Sequence, residues 1–203
     1  MGNYTAWHYR RRCLDELKLP LEDEIKWLQT HGLRMEKNYQ IWHHRRCIAE
    51  ILAEKLDTAA EMDFLDKIFD SDTKNFHAWS YRVWLIERFQ LWDGELDFCN
   101  RLMDADVFNN SLWSYRYFLL SRSPSGTYKG YTGAPGSSEF VMKELEMLMT
   151  LRIPQKVDNE ASWVYLRGLL CTTMEEEESS KSKKIKRVFM GRFKDILEPF
   201  FEL

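Results

Sequence analysis

The sequence predicts an all-α fold, a right-handed superhelix or solenoid built from helical hairpin repeats. Three observations predict it. A tryptophan-centred phrase recurs five times, apolar residues between the phrases follow helical spacing, and no sustained period-2 alternation indicates β-strands. The chain has 203 residues, of which 44% are hydrophobic and 30% charged, so it can bury a sizeable core and is not intrinsically disordered.

The recurring phrase is Asn-x-x-x-Trp-x-x-Arg. Its tryptophans follow one another at intervals of 35, 37, 34 and 50 residues: Trp7, Trp42, Trp79, Trp113 and Trp163. Arg stands three residues after the first four of them, and Arg167 is one place late in the fifth unit. Asn is a preferred N-cap, and Trp and Arg then share one helix face. We expect the Asn residues to cap helices, the Trp residues to fill the core and the Arg residues to pair with acids of neighbouring hairpins.

A second amphipathic helix is expected in each interval between the phrases. The apolar stripes that predict these helices are Leu21, Ile25 and Leu28; Phe64, Leu65, Ile68 and Phe69; Leu96, Phe98, Leu102 and Met103; and Phe140, Leu145, Leu148 and Met149. Two helices of about 12–15 residues with short turns fill roughly 34 residues, the length of a tetratricopeptide-like hairpin. No such unit buries its apolar face alone, so neighbouring units must stack.

We expect residues 1–203 to form a single repeat domain. The predicted repeats span about 3–36, 37–73, 74–107, 108–158 and 159–174, with a turn-rich loop insertion at 123–136 and a capping helix at about 185–198. The acidic run 175–178 and the basic run 181–187 favour a solvated loop, with a nuclear-import signal as the alternative. Because Asn3 begins the second helix of a pair, Trp7 is poorly covered unless another subunit covers that end or the chain is truncated.

Charge and cysteine usage narrow the classes of function. The formal net charge of −3 provides no basic field for DNA or RNA. The cysteines form no C-x-x-C pair, which argues against a zinc ribbon or a thioredoxin-like motif, and we expect buried free thiols at Cys13, Cys47, Cys99 and Cys171. No apolar stretch approaches the roughly 20 residues that span a bilayer, and no signal peptide opens the chain, so a cytoplasmic protein without membrane insertion is expected.

The phrases resemble a signature of protein prenyltransferase α subunits. Residues 37–46, Lys-Asn-Tyr-Gln-Ile-Trp-His-His-Arg-Arg, are closest to it, and residues 3–11, 74–79 with 91–93, and 109–118 resemble the adjoining units. The resemblance is strong over residues 3–122 and weak over 137–174. Its details favour the α subunit shared by farnesyltransferase and type-I geranylgeranyltransferase over the Rab-specific paralogue.

The resemblance implies one subunit of a heterodimeric enzyme. In that family a crescent of α-subunit hairpins wraps around a β subunit, which holds the catalytic zinc and most of the isoprenoid site. Together they transfer a farnesyl or geranylgeranyl group from its diphosphate to the Cys of a C-terminal C-a-a-X motif. The implied holoenzyme uses zinc on the β subunit and magnesium, whereas this chain binds no cofactor of its own and is inactive alone. His43 and His44 are adjacent and point to different helix faces, so they do not chelate a metal together.

The resemblance also assigns the site residues. Lys37 matches the family lysine that contacts the diphosphate, where a cation stabilises the negative charge that grows as the prenyl C–O bond breaks. Gln40 matches the glutamine that hydrogen-bonds the C-terminal carboxylate of the acceptor peptide. The other substrate-binding positions that we expect from the resemblance are Tyr4, Asn38, Tyr39, Asn75, Phe76 and His77.

Some alternatives stay open at this point. Phe76 stands where the family typically carries Tyr, which removes a hydrogen-bond donor worth roughly 0.5–1.5 kcal/mol; taken alone, Phe76 would be a packed apolar residue. Lys37 taken alone would be a surface lysine before a helix. A non-catalytic helical-repeat scaffold and a Rab-type α subunit are the alternative functions. A scaffold would need Trp42 but not Lys37 and Gln40 together, so the enzyme subunit is favoured. The sequence does not distinguish a farnesyl from a geranylgeranyl donor.

Overall fold

The computed structural model describes residues 3–124, 128, 138–153 and 156–175. These residues form nine α-helices and no β-strand: α1 (Tyr4–Glu16), α2 (Leu21–Gly32), α3 (Tyr39–Leu52), α4 (Thr58–Ser71), α5 (Phe76–Phe89), α6 (Glu95–Ala105), α7 (Asn110–Arg122), α8 (Ser138–Met147) and α9 (Glu160–Glu175). A 3-10 turn, Ala53–Lys55, follows α3, and a π-helical turn, Leu148–Arg152, continues α8. The predicted all-α class is confirmed. The expected capping helix at 185–198 and most of the insertion at 123–136 lie outside the described residues.

The helices fall into two compact units, residues 1–91 and 92–203. In the first unit α2 packs against α3 and α4 against α5, and both α1 and α5 pack on α3. In the second unit α6 packs against α7, and α9 packs on both α7 and α8. The predicted apolar stripes lie in α2, α4, α6 and α8 with its π-helical continuation, and most of their side chains are buried. Helical hairpins are therefore the repeating element, as the phrase spacing predicts.

Every Asn of the repeated phrase caps a helix. Each side-chain oxygen accepts a hydrogen bond from a backbone N–H in the first helical turn: Asn3 from Thr5 at 2.9 Å, Asn38 from Gln40 at 3.0 Å, Asn75 from His77 at 3.0 Å, Asn109 from Ser111 at 3.0 Å and Asn159 from Ala161 at 3.2 Å. Such a cap contributes about 1 kcal/mol relative to alanine. The capping prediction is confirmed.

The tryptophans of the repeated phrase form hydrogen bonds to the turn that precedes their own helix. Four of them are buried and Trp163 is half-buried. The expectation that Trp7 is poorly covered is wrong, because the rings of Trp27 and His44 pack on it and leave it 8% exposed. In four repeats the indole Nε1 donates a hydrogen bond to the carbonyl oxygen six residues earlier: Trp42 to Glu36 at 2.7 Å, Trp79 to Thr73 at 2.9 Å, Trp113 to Val107 at 2.7 Å and Trp163 to Val157 at 2.7 Å. The tryptophans thus combine core packing with a polar contact, which a buried indole requires.

The capping asparagines also join one repeat to the next. Asn75 Nδ2 donates to the Glu36 carbonyl at 3.4 Å, the same oxygen that accepts from Trp42. Asn159 Nδ2 donates to the Val107 carbonyl at 2.8 Å, which also accepts from Trp113. One backbone carbonyl oxygen therefore accepts two hydrogen bonds, one from the Trp of its own repeat and one from the Asn of a later repeat.

A buried glutamate on an intervening helix joins the phrase helix before it to the phrase helix after it. The Arg45 guanidinium donates from Nε and Nη2 to Glu61, both at 2.7 Å, and the Tyr81 hydroxyl donates to the same carboxylate at 2.6 Å. Arg116 and Tyr165 bind Glu144 in the same way, at 2.6–2.8 Å.

The other phrase arginines follow this pattern with one exception. Arg10 donates to Glu24 at 2.6 and 2.7 Å, and Arg82 donates to Asp66 at 2.9 Å. The prediction that the phrase arginines pair with acids is confirmed for these four repeats. Arg167 is exposed instead, because its position is shifted by one residue and Leu166 takes the buried place.

The cysteine prediction is wrong at one position. Cys99 is buried, and burial raises the pKa of its thiol to about 12. Cys47 is half-buried, but Cys13 is exposed on α1, because no described helix lies against that face. The side chain of Cys171 lies outside the described residues. None of the described helices is long and apolar enough to cross a bilayer.

Candidate functional site

All of the predicted site residues except Tyr4, which begins α1, lie at or just before the starts of α3 and α5. Lys37 ends the turn before α3, and its Nζ forms an ion pair with the carboxylate of Asp72, the residue that follows α4. Asp72 Oδ1 also accepts the Lys74 backbone N–H at 3.0 Å, which orders the connection into α5. The two helix starts are therefore held together by a charged contact.

Further contacts fix the same junction. Ser71 Oγ donates to the Glu36 carboxylate at 3.4 Å, and Asn75 binds the Glu36 backbone as described above. The rings of Trp42 and His77 stack with their centroids 6.5 Å apart. The first turns of α3 and α5 consequently lie side by side, and the positive ends of both helix dipoles favour an anion there.

Lys37 is an exposed cation, with 70% of its side chain open to solvent. Its hydrogen bond to Asp72 raises the pKa of the ammonium, and the same bond lowers the pKa of the Asp72 carboxyl. Both groups are charged at neutral pH. An exposed ion pair of this kind is weakly held in water, so the ammonium is free to exchange Asp72 for another anion.

Three aromatic residues stand exposed at the helix starts of the first unit. Tyr4, Tyr39 and Phe76 are 70%, 58% and 76% exposed, and each is the first helical residue after a capping Asn. The interpretation of Phe76 as a packed apolar residue is wrong, because the first residue of α5 points away from its hairpin. Their exposed rings are therefore available for contact with a molecule outside the chain.

The remaining predicted residues are less accessible. Gln40 is only 8% exposed, Asn75 is 2% exposed with its amide engaged on both sides, and Asn38 and His77 are half-buried. The structure therefore places Lys37 and Tyr39 at the start of α3 and Phe76 and His77 at the start of α5, with Gln40 buried in the first turn of α3, whereas Tyr4 begins α1. Among the residues that the structure describes, no group of three or more His, Cys, Asp and Glu side chains is arranged to hold a metal ion.

The sequence analysis missed the partner of Lys37. Asp72 is not part of the repeated phrase, and its distance from Lys37 is 35 residues. That separation is close to one repeat length, and this spacing could have indicated Asp72 as the partner of Lys37. It also missed the carboxylates Glu24, Glu61 and Glu144, because they stand at different distances from the arginines that bind them.

Comparison with known sequences identifies the family. The sequence model described as "Protein prenyltransferase alpha subunit repeat" matches residues 1–17, 21–52, 58–89 and 92–123, more than half of the chain. The chain belongs to the protein prenyltransferase alpha subunit family. The matched segments contain α1, α2 with α3, α4 with α5, and α6 with α7. The family resemblance stated from the phrases is confirmed.

Individual relatives fall in two types of this family. The chain is 42% identical over 95 residues to the protein farnesyltransferase/geranylgeranyltransferase type-1 subunit alpha of Candida albicans, covering 44% of this chain and 31% of the relative. It is 32% identical over 93 residues to the geranylgeranyl transferase type-2 subunit alpha of Dictyostelium discoideum, covering 41% of this chain and 30% of the relative.

A solved structure supports the same fold. The structure titled "Candida albicans protein geranylgeranyltransferase-I complexed with GGPP" matches with a TM-score of 0.72 at 34% sequence identity, covering 86% of this chain and 57% of that one. The matches thus span about a third of the length of these curated relatives and somewhat more than half of the solved chain.

Proposed function

We propose that this chain is the α subunit of a heterodimeric protein farnesyltransferase/type-I geranylgeranyltransferase. In this proposal it supports a zinc-bearing β subunit in transferring a prenyl group from prenyl diphosphate to the Cys of a C-terminal C-a-a-X motif. The observation that carries the proposal is the exposed Lys37 ammonium, whose ion pair joins the starts of α3 and α5, together with the exposed Tyr39 and Phe76 at these two helix starts. The type-1 assignment is supported by the 42% identity to the Candida albicans subunit, against 32% to the type-2 subunit.

Lys37 is proposed to stabilise the diphosphate. Negative charge on the leaving group increases as the prenyl C–O bond breaks, so a cation held nearby stabilises the transition state more than the ground state. The Asp72 ion pair holds the Lys37 ammonium at the site before substrate arrives. On binding, the diphosphate oxygens replace the Asp72 carboxylate as the partner of the ammonium.

Gln40 is proposed to bind the C-terminal carboxylate of the acceptor peptide. A neutral amide donates a hydrogen bond to a carboxylate without titrating. Its burial at 8% exposure keeps the side chain in a defined position and leaves only a small part of it for the ligand.

The neighbouring residues are proposed to form the rest of the substrate edge. The exposed rings of Tyr4, Tyr39 and Phe76 provide apolar contact for the peptide or the prenyl chain, and His77 lies between Phe76 and Trp42. Asn38 and Asn75 are proposed to act beside the ligand while they cap α3 and α5.

The β subunit supplies the remaining chemistry in this proposal. A free cysteine has a pKa near ~8.5 and is mostly a thiol at neutral pH, so the acceptor requires the zinc of the β subunit to become a thiolate. Magnesium is proposed to assist the diphosphate in the holoenzyme. The proposal also places the enzyme in the cytoplasm, where free thiols such as Cys13 and Cys99 persist.

Co-expression tests the proposal. The chain is produced with the β subunit of farnesyltransferase, of type-I geranylgeranyltransferase or of the type-2 enzyme, and each product is purified and supplied with prenyl diphosphate and a C-a-a-X peptide. We expect a stable complex with one of the first two β subunits and zinc-dependent prenylation of the peptide, with the β subunit alone as the control. A complex only with the type-2 β subunit would assign the chain to that type. No complex with any of them would indicate a non-catalytic scaffold.

A further inference from the structure

A cavity lies between α1 and α3, towards the C-terminal ends of both helices. It has a volume of about 650 Å³, which is within the range of pockets that hold small molecules. Its apolar walls include Leu14, Leu19, Ile48 and Ile51. Because Leu19 and Ile51 are 45% and 65% exposed, apolar side chains border its opening. The cavity contains none of the residues that we place at the substrate edge.

The next pair of phrase helices shows how such a space is closed. The guanidinium of Arg46 on α3 lies over the Trp84 ring of α5, 4.9 Å from the ring centroid. One turn later Glu50 accepts a hydrogen bond from Arg88 Nε at 2.7 Å. A cation–π contact and an ion pair therefore bridge α3 and α5.

The same two contacts cannot form between α1 and α3. Helix α1 has Arg11 and Asp15 at the positions that make these contacts in α3. The facing positions of α3, however, hold Cys47 and Ile51 where α5 has a tryptophan and an arginine. A thiol has no aromatic face and an isoleucine has no charge, so the space between the two helices stays open.

The charges around the cavity leave one cation unmatched. Of the described residues that line it, three are permanent cations and one is a carboxylate. Lys18 pairs with Asp15 at 3.0 Å, and Arg12 pairs with Glu16 at 3.9 Å. In the described part of the chain no carboxylate pairs with Arg11, and its buried Nη1 has no hydrogen-bond acceptor. The cavity wall therefore carries a positive charge with an unused donor.

The surroundings of Arg11 make it the anion-binding end of the cavity. A buried guanidinium N–H without an acceptor costs free energy, and a carboxylate would satisfy it with a charge-assisted hydrogen bond. Burial and the charge of Arg11 lower the pKa of His43, so this neighbouring ring is mostly neutral at pH 7. The helix ends, whose dipoles disfavour an anion, carry apolar walls instead. A ligand would thus place its charge at Arg11 and its chain along Leu14 and Ile51.

We propose that this cavity binds an aliphatic carboxylate such as a fatty acid. The carboxylate accepts hydrogen bonds from the Arg11 guanidinium, and the hydrocarbon chain lies against Leu14 and Ile51. One negative charge matches the single unpaired cation, whereas a diphosphate would also face the carboxylates of Asp15 and Glu16. The proposal is independent of prenyl transfer, because it uses no residue of the substrate edge.

Isothermal titration calorimetry of the full chain with decanoate, below its micellar concentration, tests the proposal. Circular dichroism first verifies that the chain is helical. We expect decanoate to bind at one site per chain. Decanol has the same chain without the charge and should bind at least tenfold more weakly. Decyl phosphate has the same chain with a larger charge and should bind no more tightly than decanoate.

Two variants locate the ligand. Arg11→Gln should weaken decanoate binding about tenfold or more, the change expected from losing a hydrogen bond between charged groups, and should leave decanol binding unchanged. Ile51→Arg should abolish the binding of both, because the arginine fills the opening and pairs with Asp15, as at the next helix pair. Ile51 is exposed, so the core is not disturbed, which thermal unfolding verifies. Arg101→Gln, an exposed change on α6, is the control and should have no effect.

Four results would overturn the proposal. A helical chain that does not bind decanoate at millimolar concentration would show that the cavity takes no such ligand. Equal affinity for decanol and decanoate would reduce the interaction to apolar contact. Much tighter binding of decyl phosphate would replace the carboxylate by a phosphate. Decanoate binding that is unchanged by both Arg11→Gln and Ile51→Arg would place the ligand elsewhere on the chain.

Discussion

Lys37 and Asp72 form an ion pair that joins the turn before α3 to the end of α4. The lysine is 70% exposed, whereas Asp72 is 23% exposed and also accepts the Lys74 backbone N–H. The carboxylate is thus the less exposed partner and has a second hydrogen bond, whereas the ammonium is largely open to solvent. This arrangement places a cation at the starts of two helices while leaving it able to change partner.

Replacing Asp72 should strengthen the binding of prenyl diphosphate. Asp72→Asn removes the negative charge that competes with the diphosphate for the Lys37 ammonium, so we expect the dissociation constant of the holoenzyme for prenyl diphosphate to fall severalfold. Fluorescence titration with a prenyl diphosphate analogue measures it. Asp70→Asn, an exposed change on the last turn of α4, is the matched control. An unchanged or higher dissociation constant for Asp72→Asn would contradict the competition.

Phe76→Tyr should raise turnover. Phe76 is 76% exposed, so a hydroxyl is accommodated there without repacking. A donor that reaches the diphosphate contributes roughly 0.5–1.5 kcal/mol, which corresponds to an increase in kcat of up to about tenfold. Steady-state kinetics of the holoenzyme test this, with Phe108→Tyr as a control at another exposed phenylalanine. A kcat that does not change would place residue 76 away from the reacting groups.

Gln40→Ala should mainly raise the KM for the acceptor peptide. Loss of a hydrogen bond to a carboxylate costs about 1.5–3 kcal/mol, so an increase of about tenfold or more is expected with a smaller effect on kcat. Gln40→Glu should raise KM further, because it places two carboxylates together. Gln29→Ala on α2 is the control. If both Gln40 variants kept the original KM, the assigned carboxylate contact would be wrong.

Acid should destabilise the fold through Glu24. Burial raises the pKa of this carboxyl, but hydrogen bonds from His44 and Arg10 outweigh burial and lower the pKa from the ordinary 4.5 to about 2. Because the folded pKa is the lower one, the stabilisation is present above pH 4.5 and is lost as the pH falls towards 2. Glu24→Gln should lose about 1–3 kcal/mol at pH 7.

Urea unfolding of the wild type and of Glu24→Gln, followed from pH 7 to pH 2, measures this contribution. The difference in unfolding free energy between the two proteins should shrink between pH 4.5 and 2. Glu16→Gln, on the exposed surface of α1, should show no such convergence. A difference that stays constant with pH would show that the Glu24 carboxylate charge does not stabilise the fold.

The repeated phrase was enough to predict the helices, because its information is local. An Asn at a helix start is recognised from its own neighbours, and all five caps form as expected. The burial of Trp42 and the pairing of Arg45 with an acid follow from the same helix face. What the phrase lacked was the identity of that acid, since Glu61 lies 16 residues away on another helix.

The accessibility of individual residues could not be predicted in this way. Cys13 and Ile48 occupy the same position in two repeats, yet only Cys13 is exposed, because burial depends on whether a further helix is present. Phe76 is apolar but exposed, and Gln40 is polar but buried. The exposure of each side chain depends on whether its side of the first helical turn faces the neighbouring helices. Sequence pattern alone gives the type of element but not its neighbours.

The most direct test of the account is the rate of prenyl transfer in a single turnover by the α/β holoenzyme carrying Lys37→Ala. Measured at saturating diphosphate and peptide, this rate should fall by about 100-fold or more, because a charge-stabilising group of the transition state is removed. Lys26→Ala, an exposed lysine on α2, should leave it unchanged. A Lys37→Ala holoenzyme that transfers the prenyl group at the wild-type rate would contradict the role of Lys37 at the diphosphate.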